Sequence, residues 1–185
     1  SICGEESFGT GSNHVREKDG LWAVLFWLQI LAAKKSSVID LMNQHWAKFG
    51  RNYYSRHDYE AIPSDIANQI FENLESLLPK LKNQRFSNSV VLDADNFSYE
   101  DPVDKTISTN QGLRIILENN SRIILRLSGT GTKGSTLRLY FEKLSLPNGE
   151  LNLNPQIALK DLITSLDELL NISTLTKMER PTVIT

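Results

Sequence analysis

Helical spacing of apolar residues dominates the first third of the chain. From residue 19 to residue 33 apolar side chains occupy nearly every face, which predicts a helix that is buried on most sides. A second helix is predicted to begin at a cap on Ser36 or Ser37 and to end at Phe49, because Gly50 follows as a stop signal. We expect the two helices to form a helical hairpin.

The hydrophobic pattern changes after residue 50. Residues 51–62 have an extended character, and Pro63 then opens a third helix, which Pro79 is expected to end or kink. Four apolar runs of strand length follow, at residues 90–92, 113–117, 123–127 and 137–141. Asn119-Asn120 predicts a tight hairpin between two of these runs. With a final helix over residues 154–169, the C-terminal half is expected to be a small α+β domain in which helices pack on an antiparallel sheet.

The loop that joins the last two predicted strands has the composition of a phosphate site. In RLSGTGTKGSTLR two arginines flank glycines and hydroxyl residues. Guanidinium groups, hydroxyls and closely approaching backbone N–H groups are the donors that best hold a phosphoryl group, and glycine permits the close approach because it has no Cβ. The candidate phosphate-binding residues are Arg126, Ser128, Gly129, Thr130 and Arg138.

Two other readings of this loop stay open from its spacing. It is compatible with a glycine-rich hairpin whose arginines are solvated. A nucleotide-binding P-loop fits less well, because Ser135 occupies the lysine position and an apparent strand follows where a helix is required. Since no His or Cys lies beside the loop in sequence, Ser128 and Thr130 are not predicted to be nucleophiles.

A second polar segment, GEESFGTGSNHVREKDG, lies near the N-terminus. Glu5, Glu6 and Ser7 stand on a glycine-bounded turn, where carboxylates can accept hydrogen bonds from sugar hydroxyls. A solvated or helix-capping acidic pair is the alternative. Lys18 follows closely enough to balance this charge or to reach a phosphate. Glycoside hydrolysis is disfavoured, because adjacent carboxylates on one loop cannot flank a scissile bond.

Composition and charge restrict the function further. The 185 residues carry a net charge of −2, with 40% hydrophobic and 23% charged residues, which is typical of a globular protein without a field that recruits nucleic acid or membrane. The longest apolar run is shorter than the roughly 20 residues that a membrane span needs. The single cysteine, Cys3, excludes an intrachain disulfide and favours a cytoplasmic location.

Metal-ligand spacing is not evident. His14, His45 and His57 show no such spacing, and Asp93 with Asp95 is interpreted as a strand end or turn. No metal site and no catalytic residue is predicted in this chain.

Several long motifs resemble the phosphoglucomutase family of the α-D-phosphohexomutase superfamily. The segments GEESFGTGSNHVREKDG and RLSGTGTKGSTLRLY and the terminal PTVIT are similar to the C-terminal part of that family, and so are GRNYYSRHDYE and DPVDKTISTNQGLR. The resemblance implies that residues 1–60 are the C-terminal part of a third, α/β domain and that residues 61–185 are a fourth, phosphate-binding α+β domain.

The resemblance also implies a reaction. The family interconverts glucose 1-phosphate and glucose 6-phosphate through a phosphoserine and glucose 1,6-bisphosphate, with Mg²⁺. Glu5 and Ser7 match its sugar-hydroxyl ligands, Lys18 matches a lysine that reaches the active site, and the Arg126–Arg138 loop matches its phosphate clamp. The phosphoserine and magnesium loops have no counterpart here, so we expect the chain alone to be inactive and its partners to be a sugar phosphate and the N-terminal domains of the same enzyme.

Two alternative functions stay open at this point. One is a catalytically silent relative of phosphoglucomutase with a structural or adhesion-associated role. The other is a free-standing sensor of sugar phosphates.

Overall fold

The computed structural model of the protein describes residues 2–4, 9–131 and 134–185, with residues 130 and 131 described by their backbone. The helices are α1 (Gly20–Lys34), α2 (Val38–Phe49), α3 (Ser64–Leu81), α4 (Pro155–Ala158), α5 (Lys160–Leu170) and α6 (Ile172–Thr176). The strands are β1 (Ile2–Gly4), β2 (Thr10–Ser12), β3 (Arg51–Ile62), β4 (Arg85–Phe86), β5 (Ser89–Asn96), β6 (Tyr99–Glu100), β7 (Ile107–Ser108), β8 (Leu113–Leu117), β9 (Arg122–Gly131), β10 (Gly134–Ser145) and β11 (Val183–Ile184).

The chain divides into two units, of which the first comprises residues 1–51 and 146–151 and the second residues 52–145 and 152–185. The domain boundary predicted between residues 60 and 61 falls inside β3. The units separate earlier, at residue 51, because β3 is a strand of the large sheet and its residues pack with the second unit.

The first unit contains the two predicted helices. Asp19 caps α1 by accepting from the Trp22 N–H at 3.0 Å, and Ser37 caps α2 by accepting from the Asp40 N–H at 3.2 Å. The hydrogen bond from Trp22 is the main reason that the pKa of Asp19 is lowered. Gly50 ends α2 with a φ of +85°, as its stop signal predicted.

The prediction that α1 is buried on most sides is wrong for this structure. None of its residues is buried, and Leu21 is 80% exposed. The only sheet described in the first unit, β1 with β2, has two strands and is too small to cover an apolar helix of 15 residues. In the described part of the chain no single helix could cross a membrane, although α1 and α2 together reach the required length and hydropathy across a bend of 79°.

The second unit is built on a seven-stranded sheet in the order β11-β3-β10-β9-β8-β5-β4. Buried residues alternate with partly buried or exposed ones along β8, residues 122–126 of β9 and most of β10, so one face of the sheet is apolar and faces the core. Helix α3 packs on this face, with α5 and α6 beside it. The predicted fold class, with helices packed on an antiparallel sheet, is confirmed.

Two helix predictions need correction. Helix α3 continues past Pro79 to Leu81, since a proline in the last turn removes only one of the helix hydrogen bonds. The helix predicted over residues 154–169 is divided into α4 and α5, and the short helix α6 follows it. Asn171, which separates α5 from α6, has the left-handed conformation that ends a helix.

The C-terminal strand β11 is held on β3 by a buried polar network. His57 is 3% exposed, and its Nε2 donates to the Gln156 side-chain oxygen at 2.9 Å. The Gln156 amide nitrogen donates to the Ser55 hydroxyl at 2.8 Å, and Ser55 donates to the Thr185 carbonyl at 2.9 Å. Among the described residues the buried His57 Nδ1 has no hydrogen-bond partner, so protonation there would place an unpaired N–H in the core.

This network predicts a pH-dependent stability. Burial lowers the pKa of His57 below 6.5, although Gln156 and the charge of Asp58 oppose the shift. As the pH falls below about 6.5 the unfolded chain takes up the proton first, so the full stability is present above that pH and declines below it, by at most about 1.4 kcal/mol per pH unit. Urea unfolding between pH 7.5 and pH 5 should show this decline, and His57→Gln should reduce it.

The matched control for this measurement is His45→Gln, which alters an exposed histidine. It should leave the pH dependence unchanged. An equal pH dependence in wild type and His57→Gln would contradict the prediction.

Candidate functional site

The candidate phosphate loop is a hairpin formed by β9 and β10. Residues 128–131 were predicted to lie in a loop, but they continue β9, and Gly131 is paired with Gly134. The strands extend this far because small hydroxyl and glycine residues can still pair through their backbones. A register shift between Gly134 and Thr136 interrupts the regular ladder near the tip.

Four polar residues of this hairpin lie on one face, which we call the clamp face. Arg126 is the direct cross-strand partner of Arg138, and Ser128 is the partner of Thr136. Strand alternation directs these residues away from the core, in which Leu125 and Leu137 are fully buried. Directly opposite side chains in an antiparallel pair have Cβ atoms about 5 Å apart. The clamp face therefore carries two arginines and two hydroxyl residues that leave the sheet at neighbouring positions.

Thr136 was not among the residues predicted from sequence. The signal for it was available, because Thr136 lies two residues before Arg138 and strand alternation places both on the same face. What the sequence did not reveal is that β9 extends far enough to place Ser128 opposite Thr136.

Arg138 lies beside a buried carboxylate. Asp58 on β3 is 3% exposed, and its Oδ2 lies 3.7 Å from the Arg138 Nε. Its other oxygen, Oδ1, accepts from the Arg56 Nε at 2.9 Å. Asp58 thus offsets part of the positive charge and limits where the Arg138 side chain can lie. The position of Asp58 beside Arg138 was not predicted from the sequence, because nothing in the sequence shows that β3 lies beside β10.

Arg126, in contrast, has no carboxylate beside it in the described structure. Its side chain is exposed, and in the described residues it makes no hydrogen bond or ion pair. Arg122, four residues earlier on the same face, forms an ion pair with Glu142. The Arg126 guanidinium is therefore available to an anion.

A pocket of about 350 Å³ opens beside Arg126, and we call it the side pocket. Its walls include Phe97, Tyr99, Gln111, Gly112, Arg114 and Arg126. Arg114 is already engaged, because it donates to both carboxylate oxygens of Asp95, at 2.7 and 2.5 Å, and lies 4.1 Å from the centre of the Phe97 ring. Arg138 does not line this pocket.

The start of β10, near the tip of the hairpin, is packed against the end of β3 and the start of α3. Ser135 is 2% exposed and donates to the Ser64 hydroxyl at 3.0 Å. A Cβ at Gly134 would lie 2.9 Å from the Ile62 carbonyl oxygen, so only glycine permits this approach. Gly129, in contrast, has open space around it and a φ of +72°, which favours glycine for its backbone conformation alone.

Part of the second predicted site is described, within the first unit. Lys18 is exposed, and its backbone forms a bridge with Gly11. A Cβ at Gly11 would lie 2.2 Å from the Glu17 carbonyl oxygen, so the residue before Lys18 is held tightly against β2. Glu5, Glu6 and Ser7 lie outside the described residues, as does the Thr130 side chain.

The described residues supply no magnesium site. Nowhere in the described ranges do three His, Cys, Asp or Glu side chains lie together as metal ligands. Asp95 is engaged by Arg114, and Asp93 lies 3.8 Å from the Lys82 ammonium group.

Comparison with known families accounts for nearly the whole chain. Residues 51–182 match the family model for the phosphoglucomutase-1 C-terminal domain, and residues 1–49 match that for phosphoglucomutase/phosphomannomutase alpha/beta/alpha domain III. The two matches meet at the start of β3, close to where the two units separate.

Individual relatives agree with these matches. A phosphoglucomutase from Rhizobium radiobacter is 56% identical over 185 residues, covering all of this chain and 34% of that protein, and phosphoglucomutase-1 of Oryctolagus cuniculus is 49% identical over 191 residues with the same coverage. The open form of the Paramecium exocytosis-sensitive phosphoprotein pp63/parafusin, a phosphoglucomutase, superposes with a TM-score of 0.86 at 46% identity, over all of this chain and 32% of that one.

The chain spans about a third of the length of the curated relatives that it matches. The family-model matches, the sequence identity along the whole chain and the shared fold agree with one another. This chain belongs to the phosphoglucomutase family and corresponds to a C-terminal portion of it.

Proposed function

We propose that this chain is the phosphate-binding and sugar-binding portion of a phosphoglucomutase that interconverts glucose 1-phosphate and glucose 6-phosphate. The observation that carries the proposal is the pairing of Arg126 with Arg138 on the clamp face. Like charges directly opposite each other destabilise a sheet. A dianionic phosphate between them would turn this repulsion into two charge-assisted contacts.

The rest of the clamp face suits the same ligand. Ser128 and Thr136 add hydroxyl donors, and Gly129 leaves its backbone N–H open to close approach. Asp58 lies beside Arg138, whereas Arg126 has no carboxylate partner in the described structure, so its positive charge is available to the anion. We assign Arg126, Ser128, Gly129, Thr130 and Arg138 as phosphate ligands, with Thr136 as an added candidate.

The proposed role in the reaction is positioning. If the clamp face holds the phosphate that does not react, the sugar can present either its 1-oxygen or its 6-oxygen to a phosphoserine elsewhere in the enzyme. Transfer in each orientation passes through glucose 1,6-bisphosphate. Holding the substrate in this way replaces an encounter of free molecules by a reaction within one complex, and closure around it excludes water that would hydrolyse the phosphoserine.

Sugar recognition is assigned to the first unit. Glu5 is proposed to accept hydrogen bonds from the sugar hydroxyls, and Ser7 to donate a hydrogen bond to one of them. Lys18 is proposed to reach toward the phosphate or the transferred group. Its anchoring through Gly11 fits this role, since the backbone at residue 18 is held in place.

Chemistry at the phosphoryl group is assigned to other parts of the enzyme. The phosphoglucomutase family depends on Mg²⁺, but the described residues of this chain do not fit the ion. We therefore place no catalytic residue here and propose the remaining domains of the same enzyme as the partners of this chain.

The first test is turnover by the chain alone. The 185-residue protein should bind glucose 6-phosphate but show no conversion of glucose 1-phosphate in a coupled dehydrogenase assay, because the phosphoserine is assigned elsewhere. Binding in the same sample shows that the protein is folded. Turnover comparable to that of a complete mutase would place the chemistry in this chain and contradict the assignment.

The second test removes one guanidinium. Arg126→Ala should weaken binding of glucose 6-phosphate by about 10- to 150-fold, since a hydrogen bond to a charged group contributes about 1.5–3 kcal/mol. Isothermal titration calorimetry measures the dissociation constant directly.

Arg122→Ala is the matched control, because it removes the same charge from the same strand and face, at a residue paired with Glu142. It should change the affinity much less. If both variants bind with wild-type affinity, Arg126 is not a phosphate ligand. If both weaken binding equally, only the general charge of the face matters.

A further inference from the structure

Gly112 lies directly against the side chain of Arg126. A Cβ built on Gly112 would be 2.9 Å from the Arg126 Cγ, closer than such atoms approach in real structures. It would also be 3.3 Å from the Leu125 carbonyl oxygen, which belongs to the sheet and cannot retreat. The φ of Gly112 is +146°, a conformation that residues with a side chain rarely adopt.

The backbone at Gly112 is itself held in place. Its carbonyl oxygen accepts from the Phe97 N–H at 2.9 Å, and the Phe97 carbonyl accepts from the Gln111 N–H at 2.8 Å. Leu113, the next residue, is paired with Leu125 in the sheet. Because the backbone is tied on both sides, a side chain at residue 112 would press against the Arg126 stem in addition to straining its own backbone.

Packing therefore sets the direction of Arg126. Its neighbours Arg114 and Arg122 are oriented by carboxylates, whereas Arg126 has no such partner in the described structure. An arginine side chain has about 2 kcal/mol of rotamer entropy, which opposes binding unless the side chain is already restrained. The surface of Gly112 provides that restraint along the aliphatic stem.

We infer that Gly112 is a positioning residue, which lets the stem of Arg126 lie flat on the start of β8 and so aims the guanidinium at the phosphate. The inference rests on the proposed function, because it takes Arg126 to be a phosphate ligand. It adds a residue outside the β9–β10 hairpin to the determinants of phosphate affinity.

The test is a double-mutant cycle in the 185-residue protein with Gly112→Ala, Arg126→Ala and the double variant. Binding of glucose 6-phosphate and of inorganic phosphate is measured by calorimetry, and the melting temperature of each variant is recorded. Gly112→Ala should weaken binding of both ligands about 10-fold, which corresponds to losing one charge-assisted contact. It should have no further effect on binding when residue 126 is alanine.

The melting temperature gives a second reading of the same contact. Alanine at residue 126 has no Cγ, so Gly112→Ala should lower the melting temperature less in the Arg126→Ala background than in wild type. This comparison is available even where binding by the Arg126→Ala variant is too weak to measure. Gly20→Ala is the control, because Gly20 has open space around it, and it should change neither affinity nor the effect of Arg126→Ala.

The outcomes separate the inference from the proposed function. If Arg126→Ala binds with wild-type affinity, the proposed function itself is contradicted. Loss of affinity in Arg126→Ala with wild-type affinity in Gly112→Ala would overturn the positioning role alone. If Gly112→Ala lowers the binding affinity equally in wild type and in Arg126→Ala, its effect is a general structural one, and the positioning role is also overturned.

If Gly112→Ala does not fold, the double variant shows why. Folding of the double variant supports the contact with Arg126 as the cause. If the double variant also fails to fold, the backbone conformation of residue 112 is the cause, and the inference is overturned.

Discussion

The antiparallel pairing of β9 with β10 is the interaction on which the site depends. The same ladder satisfies the backbone hydrogen bonds, buries Leu125 and Leu137 on the core face and places Arg126 opposite Arg138 on the other. Core packing and the proposed phosphate binding thus depend on the same strand register, one on each face of the sheet. A slip of one residue would exchange them, because strand side chains alternate with a period of two.

The two arginines of the clamp face are supported in different ways. Arg138 lies beside the buried Asp58, whose other oxygen is occupied by Arg56. Arg126 has no carboxylate beside it in the described structure and rests instead on Gly112. One guanidinium is therefore restrained by charge and the other by packing. The positive charge of Arg126 is therefore the one on this face that is not compensated by a carboxylate in the described structure, and an anion would be stabilised most there.

Much of the fold was predictable because its signals are local. Caps at Ser37 and Gly50 define α2, and alternation along residues 113–117 and 123–127 defines two central strands. The structure differs from the sequence-based expectations where neighbours in space decide the outcome. Residues 128–131 look like a loop, but pairing with β10 makes them strand. Residues 52–62 were divided between domains, but the sheet places them in one unit.

The sequence by itself determined which residues carry the candidate chemistry, since guanidinium groups, hydroxyls and close backbone N–H groups are the donors that a phosphate needs. Alternation alone also placed Arg126 on the face opposite the core residues. Only the tertiary structure decided that Asp58 lies beside Arg138 and that Gly112 supports Arg126. Both contacts join different strands, and the order of strands in a sheet follows from packing of the whole core, which no local pattern records.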